Sequence, residues 1–83
     1  MTTTAVIADN SEITIPLKYQ VGNNSLFVYC LGEKLVKVTG RKDGHYKEVG
    51  TTGSASNKIR LNNIGQSIPV GTTFEFVVFG NYD

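Results

Sequence analysis

Apolar and polar residues alternate along residues 12–19, EITIPLKY, with Ile13, Ile15 and Leu17 on one side and Glu12, Thr14, Pro16 and Lys18 on the other. That period of two predicts a half-buried β-strand. Pro16 has no amide hydrogen for a ladder, which places the strand at a sheet edge or on a bulge. Residues 20–25, QVGNNS, are turn formers. The next run, SLFVYCLG over residues 25–32, breaks the alternation. As a strand it would carry Leu26, Val28 and Cys30 on one face and Phe27, Tyr29 and Leu31 on the other. An antiparallel strand of a small domain ordinarily keeps one face wet. Both faces are apolar here, so the second needs a cover.

Further strands follow at turn-punctuated intervals. Residues 33–39, EKLVKVT, lie between Gly32 and Gly40 and are rich in β-branched side chains. The Asp43-Gly44 pair predicts a tight hairpin between KVTGRK and HYKEVG, with Gly44 supplying a positive φ. Residues 45–49 form a short strand, 50–56 a loop, and 57–61 a strand with Ile59 and Leu61 inward. Residues 62–71 are a long turn, and 73–79, TFEFVVF, close the chain as a strand that is nearly all apolar apart from Glu75. This spacing predicts an all-β fold, a small antiparallel sandwich or barrel of about six to seven strands. Leu26, Val28 and Cys30 are expected to face Ile13, Ile15, Phe74, Phe76 and Val78 in its core. Residues 1–11 read as an extended N-terminal arm and 12–83 as a single β domain. The β-prone stretch 2–9, which includes Val6 and Ile7, is expected either to fray or to add a strand to a neighbouring sheet.

Size sharpens the question of cover. A chain of 83 residues buries only roughly 60–65% of its unfolded surface, so its own core leaves a thin margin. Cys30 is the single cysteine and His45 the single histidine, so neither an internal disulfide nor a Cys/His zinc set is expected. Oligomerisation or docking on a larger partner is the remaining supplement. The formal charge is +1, from eight basic and seven acidic residues, unlike the basic footprint of a nucleic-acid binder. The longest apolar run, residues 26–31, is too short for a membrane helix. The N-terminal residues lack the basic and apolar regions of a secretory signal, so an origin in the cytoplasm is expected.

The residues suited to chemistry stand apart from one another. His45 adjoins the expected turn, Cys30 lies within an apolar run, and Glu12, Glu33, Asp43, Glu48 and Glu75 are scattered. A nucleophile needs a base within reach, itself oriented by a third group. Residues 50–54, GTTGS, lack the lysine and following helix of a phosphate-binding loop. No enzymatic activity, cofactor or metal is expected. Lys34, Lys37, Arg41, Lys42 and Lys47 gather between residues 33 and 48, against Glu33, Asp43 and Glu48. This mild basic patch suits a wet sheet face or an acidic protein surface.

Three stretches, SLFVYCLGEKL, HYKEVGTTGSASNKIRL and IPVGTTFEFVVF, together resemble a β-module of tailed-bacteriophage virion proteins. That module occurs in tail fibres, appendage and head-fibre proteins and small decoration proteins. The resemblance spans about residues 12–79. It rests on Val28-Tyr29 with Gly32 and Leu35, on Tyr46 with Glu48 and Gly50, on Ile59 and Leu61, and on Pro69, Gly71, Thr72, Glu75 and Phe76. The chain departs from the pattern at Cys30-Leu31, where a polar pair is usual, and at His45, where an acidic residue is common. The resemblance implies a non-enzymatic structural role in a virion, frequently as a trimer. A capsid decoration or cement protein is the first expectation, bound to the major capsid protein or another virion protein, with no nucleic acid or membrane partner. A tail or fibre component is the second. A small carbohydrate-binding module, using Tyr19, Tyr46 and Tyr82, is the alternative from another class. The expected interface comprises Phe27, Tyr29 and Leu31, the arm residues Val6 and Ile7, and Lys34, Lys37, Arg41 and Lys42.

Overall fold

The computed structural model describes residues 1–40 and 42–80. Six strands follow in order: β1 (Glu12–Gln20), β2 (Leu26–Cys30), β3 (Glu33–Lys34), β4 (Tyr46–Glu48), β5 (Ala55–Leu61) and β6 (Phe74–Val78). They form two three-stranded antiparallel sheets, ordered β1-β5-β4 and β3-β2-β6. Both sheets feed one core: Ile15, Tyr19, Tyr46 and Ile59 from the first meet Leu26, Val28 and Phe74 from the second. Ile13, Cys30, Phe76 and Val78 pack against its margin. The inward side of the apolar run was therefore legible in its alternation.

Strand β1 is an edge strand, and Pro16 sits within its irregularity. The register runs from Thr14↔Lys58 to Tyr19↔Ser56, so residues 15–18 stand opposite Asn57 alone. This bulge re-aims the strand. Ile15 and Tyr19 point into the core, but Leu17, expected on the same side, is exposed. Tyr19 is fully buried. Its hydroxyl donates to the Lys58 carbonyl and accepts the Val49 amide at 3.1 Å, so the buried phenol is satisfied.

The stretch 33–39 departs from expectation. Glu33–Lys34 pairs with β2, and the Leu35 amide still donates to the Val28 carbonyl at 2.8 Å. Beyond it the chain leaves that sheet and runs parallel to β4. Val38 N–H donates to the Tyr46 carbonyl (2.8 Å), and His45 N–H donates to the Val36 carbonyl (2.7 Å). The Asp43-Gly44 hairpin is consequently absent, and Gly44 does not adopt positive φ. A Cβ on Gly44 would lie 2.4 Å from the Val36 carbonyl oxygen, so glycine permits a close backbone crossing there. Asn62, buried, fastens this turn by donating to Asp43 Oδ1 and to the Gly44 carbonyl, each at 2.9 Å.

Leu31 also lies off its expected face. Leu31 and Gly32 have φ of 52° and 84° and connect the paired residues Cys30 and Glu33. Positive φ at both central residues is the signature of a type I′ turn. Leu31 thus caps a hairpin rather than continuing β2.

The N-terminal segment is laced to its own chain instead of fraying. Thr3 is buried. Its N–H donates to the Thr72 carbonyl, its hydroxyl donates to the Pro69 carbonyl, and its carbonyl accepts the Gly71 amide. Ile7 and Ile68 exchange two backbone bonds of 2.9 and 2.7 Å. The Asp9 carboxylate accepts the amides of Ile64 and Gly65 at 3.0 and 3.1 Å, closing the strap.

Candidate functional site

The β2–β6 register dictates what the second sheet shows to solvent. Phe27 pairs with Val77, and Tyr29 pairs with both Glu75 and Lys34. Directly opposed residues share a face, so Phe27, Tyr29, Lys34, Glu75 and Val77 form one outer surface. Phe79 extends it, its amide bonded to the Ser25 carbonyl and its ring edge-on to Phe27 with centroids 5.4 Å apart. The Lys34 ammonium lies 5.0 Å from the centre of the Phe27 ring, a cation–π contact that keeps this lysine against the face. Phe27 and Tyr29 are half-buried, whereas Val77 and Phe79 are 43% and 65% exposed.

Beside this face a cleft of about 330 Å³ opens between the sheets, with Lys34, Lys37 and Lys42 around a floor of Leu26, Leu35 and Tyr46. Its lysines are not equivalent. Lys37 Nζ donates to Asn24 Oδ1 at 2.6 Å and lies 3.8 Å from Glu48 Oε2. That carboxylate oxygen is buried and has no hydrogen bond, so the charge of Lys37 is its counterweight. The other oxygen of Glu48 accepts the Gly22 amide at 2.8 Å. Burial, with smaller contributions from Glu48 and Tyr19, pushes the Tyr46 hydroxyl up to about 12, so the floor stays neutral. Lys37 is thereby a structural cation, while Lys42 is exposed at the rim.

Cys30, Glu33 and His45 line a second cleft of about 390 Å³ at the hairpin end. Burial, and then the charge of Glu33, raises the Cys30 thiol above its ordinary value, which favours the unreactive protonated form. His45 Nδ1 accepts the Val36 amide at 2.9 Å and serves the backbone crossing.

The expected interface residues therefore separate into groups. Phe27, Tyr29 and Lys34 share the outer face, and Phe27, Lys34, Lys37 and Lys42 share the cationic cleft. Leu31, 75% exposed, stands at the hairpin tip. Val6 is exposed on the strap, and Ile7 is half-buried in its pairing with Ile68. Arg41 lies outside the described residues, as does Tyr82. Tyr19 and Tyr46, considered as sugar platforms, are core residues. Val77 and Phe79 are the members of the outer face that sequence reasoning passed over. TFEFVVF carries the same signal as SLFVYCLG, apolar residues on both faces.

No family model, curated protein or solved structure matches the chain.

Proposed function

We propose that the protein is a non-enzymatic structural protein of a tailed-bacteriophage virion, binding the particle surface in many copies as a decoration or cement protein. The observation that carries this reading is the outer face of the β3-β2-β6 sheet, where Phe27, Tyr29, Val77 and Phe79 form a contiguous, partly exposed apolar surface. Such a face on a small domain suits docking, and the resemblance over residues 12–79 supplies the virion context. Repetition over a symmetric particle would turn modest individual contacts into durable attachment. The resemblance also implies self-association, most often as a trimer. No observation favours the sugar-binding alternative, since two of its three tyrosines are buried.

The test is to mix the purified protein with particles of the encoding virus assembled without it, then pellet the particles. Saturable co-sedimentation at a fixed copy number is expected, with Phe79→Ser reducing occupancy at least about tenfold. Binding to isolated tails or fibres but not to capsids would move the assignment to a tail component. A folded protein that pellets with none of them would overturn the reading.

A further inference from the structure

We propose that the outer face of the β3-β2-β6 sheet pairs with the same face of a second copy of this chain, across a two-fold axis running along the strands. This rests on the reading of that face as an interface and narrows its occupant from the particle to a second copy. The chain then meets the particle as a pair, through the surfaces the pairing leaves free, and loss of pairing lowers occupancy by lost avidity. The ladder register sets Lys34, Tyr29 and Glu75 in one row across β3, β2 and β6, with neighbouring strands about 4.8 Å apart. The row is positive at one edge, aromatic in the middle and negative at the other. Glu75 is exposed, and among the described residues neither Lys34 nor Glu75 enters an ion pair within the chain.

A two-fold axis lying in the contact plane and parallel to β2 exchanges the two edges of the sheet. It brings Lys34 of each copy over Glu75 of the other and sets Tyr29 against Tyr29. A two-fold axis across the strands would instead stack Lys34 on Lys34 and Glu75 on Glu75. Charge therefore selects one orientation of an isologous contact. The offset of about 30° between aligned packed sheets leaves the central row matched. Phe27 with Val77, and Phe79 beyond them, supply the apolar area next to that row. A three-fold ring would present each outer face to a different surface of its neighbour, and its charge self-complementarity would go unused.

Sedimentation equilibrium tests this. The wild type is expected at twice 9.0 kDa, dissociating on dilution. Lys34→Glu and Glu75→Lys each convert two attractive contacts into two repulsive ones and are expected to weaken pairing roughly tenfold. The double variant restores it. Mixed in equal amounts, the two single variants are expected to form a heterodimer at concentrations where neither pairs with itself, because both cross-contacts are then attractive. Phe79→Ser, with its melting curve checked, is expected to abolish pairing. A wild-type trimer, a wild-type monomer, or single variants that fail to recover on mixing would overturn the proposal. A monomer that still coats particles would remove the two-fold pairing and leave the virion role standing. A dimer that coats nothing would do the reverse.

Discussion

Inward from the β2–β6 ladder, Leu26, Val28 and Phe74 are 4%, 0% and 1% exposed; outward from it, Val77 and Phe79 remain at 43% and 65%. The side chains are chemically alike. What differs is whether a second sheet lies within reach. The inner residues meet Ile15, Tyr19, Tyr46 and Ile59 of the opposing sheet. On the outer side Phe79 meets the Phe27 ring, Phe27 meets the Lys34 ammonium, and the remainder meets solvent. Apolar composition thus marks a surface for burial without saying whether folding or association buries it. The difference lies in the register and the layer order.

Four substitutions probe that contrast. The largest effect is expected inside: Phe74→Ala removes a side chain 1% exposed and should cost about 3–5 kcal/mol in denaturant unfolding. A loss below about 1 kcal/mol would mean the inner face is not the core. Lys37→Ala comes next, because it strands the buried Glu48 carboxylate beside it. A loss of about 2–3 kcal/mol is expected, whereas Lys42→Ala at the rim should change stability by less than about 0.5 kcal/mol. Equal effects of the two would return Lys37 to the exposed patch. The smallest expected change is in Phe79→Ser, whose 65% exposed ring should leave unfolding within about 0.5 kcal/mol of the wild type when both are diluted to monomers. A loss comparable to that of Phe74→Ala would erase the distinction between the faces.

Sequence periodicity disclosed β1, β2, β5 and β6 and the inward residues of β2, because alternation reports directly on a two-sided strand. It also placed Pro16 at an edge irregularity, where the bulge lies. Other features left no local mark. Leu31 reads as a strand residue by type, yet it takes positive φ in the hairpin tip, a conformation that costs a side-chain-bearing residue roughly 1–2 kcal/mol. Gly44 reads as a turn glycine, yet its neighbour is a backbone carbonyl from residue 36, a contact that only the tertiary crossing creates. Tyr19 and Tyr46 offer a hydroxyl that suits either water or a buried acceptor, so their type did not disclose the core. Lys37 looked like its neighbours until Glu48, eleven residues on, turned it inward. For the outer face, Phe27, Tyr29 and Lys34 were legible, while Val77 and Phe79 needed the double-faced reasoning carried over to the last strand.

The strap has a temporal consequence. Its first residue bonds to Phe74, 73 positions away in sequence, and its remaining anchors lie between residues 60 and 73. Contacts so distant along the chain form late, after the intervening loop entropy has been overcome. During synthesis residues 1–10 must wait, unpaired, until these partners have left the ribosome. Closure of the strap then marks the emergence of residues 60–74, the segment that leads into β6.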